Sequence, residues 1–152
     1  MARTWRLALR QSPIFIALLL APAAPAGAAT LITAEEASLP PAAFPSASRG
    51  ITRGPTVKLE SPTEPVASPF KLVVSFAAHG GAQIALESVK LTYLRNPSVD
   101  LTARIKPFVT AQGLGITLAE APAGRHELIL EVADSNARVV KLPITITVAP
   151  NK

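Results

Sequence analysis

Strict alternation of apolar and polar residues over long runs constrains this chain more than any other feature. Phe70, Leu72, Val74 and Phe76 alternate with Lys71, Val73 and Ser75, and Val89, Leu91 and Tyr93 alternate with Lys90, Thr92 and Leu94. The same parity recurs as Leu128, Leu130 and Val132 against Glu127, Ile129 and Glu131. It closes as Val140, Leu142, Ile144, Ile146 and Val148 against Lys141, Pro143, Thr145 and Thr147, while Val57 and Leu59 against Lys58 and Glu60 form a shorter opening run. Side chains on a strand point alternately to its two faces, so each run is a half-buried strand of an antiparallel sheet. Strands of this kind in about 95 residues, from Pro55 to Ala149, suffice for one all-β antiparallel sandwich and not for two domains.

Turn residues stand where the strands must end: His79-Gly80-Gly81, Asn96-Pro97-Ser98 and Ala121-Pro122-Ala123-Gly124. Asp134-Ser135-Asn136-Ala137 makes the last two strands a hairpin. Between Asn96 and Glu120 the alternation lapses. Leu101, Ile105, Phe108 and Val109 have helical spacing, with Asp100 or Thr102 as N-cap, but Pro107 falls inside and removes a backbone donor. The spacing predicts a single short helical segment, broken near Pro107, before Ile116 and Leu118 re-enter the sheet. Residues 29–54, rich in Ala, Pro and Ser, offer little apolar area against the entropy of ordering and are expected to form a flexible linker. Within them, Thr33 followed three residues later by Glu36 fits a capping box for one helical turn.

The first 28 residues say where the chain is expected to go. Arg3, Arg6 and Arg10 precede the apolar run Ile14–Leu20, and small residues lead to Ala26-Gly27-Ala28. That order is the pattern of a secretory signal peptide, and the apolar run is far short of the roughly 20 residues a spanning helix needs. Removing the three leader arginines from a formal net charge of +5 leaves +2, with the remaining Lys and Arg scattered among acids. No basic block with interleaved aromatics remains, so nucleic acid is not an expected partner. The chain has no cysteine, which excludes disulfides, thiol catalysis and thiolate metal sites together. The expected product, Ala29 onward, is a periplasmic or secreted protein that does not span the membrane.

Two stretches resemble a known family. Gly54-Pro55-Thr56-Val57-Lys58-Leu59-Glu60-Ser61-Pro62, followed by Val66 and Ser68-Pro69-Phe70-Lys71-Leu72-Val73-Val74, is similar to the opening strand pair of bacterial immunoglobulin-like modules. Pro122-Ala123-Gly124 through Asp134 to Ile144-Thr145-Ile146-Thr147-Val148 is similar to their closing hairpin, with Asn136-Ala137 where the family usually carries Gly-Asn. The resemblance implies an immunoglobulin-like β-sandwich, here in single copy, and leaves residues 96–120 unmatched. Members of that family act as spacers, adhesion modules and accessory domains.

Candidate chemistry is sparse. His79 precedes two glycines and His126 follows a Pro-x-Gly turn, so both are expected at exposed loop edges. Two histidines, with no Cys and no Met after the leader, do not build a transition-metal site. Asp134 and Asn136 offer oxygens at i and i+2, but an Asx-type turn explains them better than calcium. Asp100 and Glu87 are read as an N-cap and a solvated strand residue, and Lys58, Lys71 and Lys90 as outward positions that discourage edge aggregation. No serine sits in a nucleophile elbow. The expectation is therefore a non-catalytic binding or cell-envelope scaffolding module with no cofactor and no metal, whose partner is another envelope or secreted protein. A periplasmic chaperone or accessory subunit for one fixed partner is the alternative. The unmatched segment supplies the candidate binding residues, Asp100, Arg104, Lys106 and Phe108. Against this stands a plug reading, in which Leu101, Ile105 and Phe108 close one end of the sandwich.

Export makes a direct prediction: the mature chain begins at Ala29, within a residue or two. Intact mass of the exported protein checks it, and an uncleaved, membrane-retained product refutes it.

Overall fold

A computed structural model describes residues 27–43 and 54–150. The leader up to residue 26 and the 44–53 part of the expected linker lie outside the described residues. Among the described residues, nine strands form two sheets. Strands β1 (Ala29–Thr30), β2 (Thr56–Ser61), β3 (Phe70–Ala77), β6 (Val109–Thr110) and β7 (Gly113–Glu120) make the first, in the order β1-β7-β3-β2 with β6 also beside β7. Strands β4 (Lys90–Tyr93), β5 (Val99–Asp100), β8 (Gly124–Ala133) and β9 (Val139–Val148) make the second, in the order β5-β4-β8-β9. The sheets face each other across a core drawn from the alternating residues. Phe70, Leu72, Val74, Leu91, Tyr93, Leu128, Leu130, Val132, Ile144 and Ile146 are buried, while Lys71, Lys90 and Thr145 are exposed.

The β8–β9 hairpin is the longest ladder, ten residue pairs from Gly124 opposite Val148 to Ala133 opposite Val139. On the outer face Lys90 lies opposite Glu131 and Glu131 opposite Lys141, whose Nζ donates to the Glu131 carboxylate at 2.7 Å. Charges of alternating sign keep that face in water. In the first sheet the register slips twice: Leu59 lies opposite Val74 but Ser61 opposite Val73, and Leu72 lies opposite Ile116 but Phe70 opposite Ala119. The extra residue in β7 turns Leu118 outward, 41% exposed, whereas alternation had placed it with Ile116. Gly113, φ 156°, is required at the head of β7, because a Cβ there would lie 2.1 Å from the Val74 carbonyl oxygen of β3.

The segment between the strands is helical and breaks where proline requires. Helix α2 (Thr102–Ile105) is followed by a 3-10 turn, Lys106–Phe108, with Pro107 in its first positions, where a missing N–H costs nothing. Asp100 Oδ1 accepts from the Thr102 amide at 2.8 Å, and Thr102 Oγ1 accepts from the Leu91 amide at 3.2 Å, tying the segment to β4. Leu101 and Ile105 are fully buried and Phe108 packs half-buried against them and the core.

Residues 29–43 do not form the linker expected of them. Leu31 and Ile32 are buried to 1% and 2% exposure, and β1 pairs in parallel with the end of β7. Helix α1 (Ala34–Ser38) follows with its capping box complete: the Glu36 amide donates to Thr33 Oγ1, and the Thr33 amide donates to the Glu36 carboxylate at 2.9 Å. The strand-like stretch Pro40–Ala42 then pairs with Leu94–Asn96 beside the second sheet. The strap thus runs from an edge of one sheet to an end of the other. Composition missed it because two apolar residues and one glutamate suffice when their partners lie 70 to 90 residues away.

In the last turn, Asp134 N donates to the Arg138 carbonyl and Ala137 N to the Asp134 carbonyl, which puts Ala137 at φ 59°. A side chain in that left-handed region is strained, and glycine relieves it. Ala137→Gly is expected to stabilise the protein by about 1 kcal/mol in a denaturant titration; an unchanged or lowered midpoint contradicts the turn geometry.

Candidate functional site

The four residues singled out in the unmatched segment part company. Arg104, projecting from α2, reaches the strap: its guanidinium makes two 2.7 Å bonds to the Glu36 carboxylate and a third, 2.9 Å, to the Leu31 carbonyl. The fork geometry of arginine matches both carboxylate oxygens. Arg104 holds the Glu36 carboxyl down to about 2, and Glu36 in turn raises the guanidinium. Asp100 is spent on Thr102, whose side chain and then amide lower its carboxyl below the ordinary value. Phe108 lies against the core. Lys106 faces solvent, as Asp100 does, and its Nζ lies 2.8 Å from Glu87. Leu101 and Ile105 act as the plug, so most of the segment serves the fold.

Around Lys106 the end of the sandwich is slightly concave. Leu86, Glu87 and Val89, from the 3-10 turn Leu86–Ser88 and the residue after it, face Thr102, Lys106 and Val109 across a groove of about 130 Å³. Leu86 is 44% exposed there. Glu87 and Asp100 depart from their expected places: Glu87 lies in the 3-10 turn, not on a strand, and meets Lys106, while Leu101 holds the N-cap position of α2 and Asp100, one residue earlier, accepts from the Thr102 amide.

His126 corrects an expectation. It is 1% exposed, not a loop-edge residue, because it shares the inward parity of Leu128, Leu130 and Val132. Nε2 donates to the Pro122 carbonyl at 2.7 Å, which leaves Nδ1 to accept from the Tyr93 hydroxyl at 2.8 Å. A neutral ring satisfies both contacts. Burial pushes its pKa below the ordinary histidine value; the Pro122 carbonyl pulls the other way and Arg95 adds to the depression. Arg95 lies with its guanidinium carbon 4.8 Å from the Tyr93 ring centre. Parity in β8 was the signal for this cluster, outweighed by the neighbouring turn.

The remaining candidates resolve into structural roles. His79 is exposed, its Nε2 2.7 Å from Thr56 Oγ1. Asp134 Oδ1 accepts from the amides of Asn136 and Arg138, and Oδ2 from Arg138 Nε at 2.8 Å, the Asx-type turn in full. Burial raises the Asp134 pKa, but these donors outweigh it and hold the group below its ordinary value. Lys58 and Lys71 leave the first sheet and Lys90 the second, so they line no common face. Among the described residues no three His, Cys, Asp or Glu side chains gather as metal ligands, and no helix is long and apolar enough to cross a membrane.

No family model and no curated protein matches the chain. Among solved structures it is similar to CopC from Methylosinus trichosporium OB3b, at 15% identity over 64% of this chain and 97% of that one, with a TM-score of 0.42. At that identity and score the likeness transfers neither a ligand nor a site.

The buried neutral imidazole makes stability depend on pH. A histidine with a lowered folded pKa contributes stability that is complete above the unfolded value, about 6.5, and is lost as pH falls through the folded value. As pH falls below about 6.5, wild-type stability is expected to fall more steeply than that of His126→Asn, by at most about 1.4 kcal/mol per pH unit. The carboxylates named above lose their contributions only at lower pH. Parallel slopes for the two proteins in urea titrations refute a neutral, desolvated His126.

Proposed function

We propose that the mature chain is an exported, non-catalytic immunoglobulin-like module that binds another envelope or secreted protein through the end of the sandwich where Leu86 and Lys106 stand. The strand order supports the immunoglobulin-like part: β2-β3-β7 with β6 beside β7, against β5-β4-β8-β9, follows the A-B-E-D and C′-C-F-G order of that fold. The observation that carries the binding reading is the Leu86–Lys106 groove. An exposed aliphatic side chain beside an exposed charge pair is the anchor-and-rim composition of a contact surface. Of the candidate residues, Asp100 bonds the Thr102 amide, Arg104 binds the strap and Phe108 packs on the core, whereas Lys106 meets Glu87 in a solvent-exposed pair that a partner can reach. Loops at a sandwich end also tolerate such use, since the sheets, not the loops, hold the fold.

Crosslinking of the tagged protein in the envelope fraction, followed by identification of the captured partner, provides the test. Leu86→Asp and Lys106→Glu are each expected to lower capture about tenfold, while Lys141→Ala, on the outer face of the second sheet, leaves it unchanged. Unaltered capture by both groove variants, with melting temperatures intact, overturns the assignment.

A further inference from the structure

Arg95 is an arginine that the fold positions without neutralising. It stands two residues past the end of β4, and its backbone is fixed on two sides: its amide donates to the Tyr93 carbonyl at 3.0 Å, and it bridges to Pro41 of the strap. Its guanidinium rests on the Tyr93 ring. For hydrogen bonds it has one long contact, Nη2 to the Arg125 carbonyl at 3.4 Å, and its Nε is buried with no partner among the described residues. No carboxylate pairs with it among those residues either. A guanidinium carries five donors, and a buried donor left unmatched is costly enough to call for an explanation.

The Nε stays closed off, but the surroundings offer the Nη edge of the same guanidinium a partner. Pro41, Leu94, Arg95, Arg125 and Glu127 line a pocket of about 200 Å³ at the end of β4 opposite the Leu86–Lys106 groove. Two arginines face one carboxylate, and that carboxylate is already bonded to Arg125 at 3.0 Å. The site thus has one uncompensated positive charge, a planar donor edge held in place by Tyr93, and apolar walls from Pro41 and Leu94. We infer that this pocket is an oxyanion site, in which Arg95 and Arg125 take a carboxylate or phosphate group of a small ligand. Paired arginines favour such groups because their forked donors match two oxygens at once. Because Nε itself is closed to solvent, the ion meets Arg95 along its Nη edge. The strap forms one wall, so the pocket exists only when residues 40–42 are docked.

The probes are inorganic phosphate and butyrate, titrated separately into the 15N-labelled mature protein at constant ionic strength balanced with chloride. The expected result is a saturable shift of the Arg95 Nε–H resonance by at least one of them, with a midpoint of roughly 1 mM or below. The probe acting at lower concentration identifies the head group. Arg125→Gln, which leaves Arg95 on Tyr93, is expected to raise the midpoint about tenfold. Saturation also removes part of the repulsion of Arg95 on the imidazolium, so the titration of His126 moves to higher pH. Absence of a saturable shift with both probes, or an equal shift with chloride alone, overturns the inference, whatever becomes of the protein-binding groove.

Discussion

With no cysteine anywhere in the chain, the two sheets are held together by what their inner faces bury and by nothing covalent. A sandwich of this size loses much of its stability if water enters between the layers, because burial of apolar area is its main support. Every irregular element can be understood from that requirement. Leu101 and Ile105 close one end. Val66 bridges in parallel to Val148, and the Ala149 amide donates to its carbonyl, closing the side where β2 meets β9. Leu31 and Ile32 are carried by the strap into the core on the side of β7.

Polar side chains are placed to hold these seals. Arg104 binds the strap through Glu36 and the Leu31 carbonyl, so the plug and the strap support each other. Asp134 satisfies three donors of the final turn and lets the β8–β9 hairpin close around a strained Ala137. Tyr93 and His126 answer each other between adjacent strands, each supplying what the other lacks: a hydroxyl donor and a ring acceptor. A buried pair of this kind is tolerable only when complete, and here the Pro122 carbonyl completes it.

What the fold leaves unspent lies at the two ends of β4. At one end stand Leu86, Lys106 and Glu87, exposed and shallowly concave. At the other stands Arg95, ordered by stacking yet without a counter-charge. The two differ in chemistry, an apolar contact beside an ion pair against a concentrated positive charge, and so they suit different ligands. Neither is a product of strand alternation; both arise where strands stop.

Alternation alone placed β3, β4, β8 and β9 and nearly their whole inward faces, because period two is a local property that burial on one face writes directly into the sequence. The capping box of Thr33 and Glu36, the break at Pro107 and the Asx turn at Asp134 were legible for the same reason, each being satisfied within a few residues. Three features were not. The bulge that exposes Leu118 depends on how β7 meets β3, and the burial of His126 on whether a turn or a strand claims it. The docking of residues 29–42 depends on Arg104 and on the edge of β7, far along the chain. The immunoglobulin-like resemblance covered the two ends of the folded region and was silent on residues 96–120, where the plug forms. Sequence by itself determined the strands and the turns, whose causes are local; tertiary structure decided which edges are sealed and which charges are left over, since a counter-charge or a covering side chain has no fixed distance along the chain.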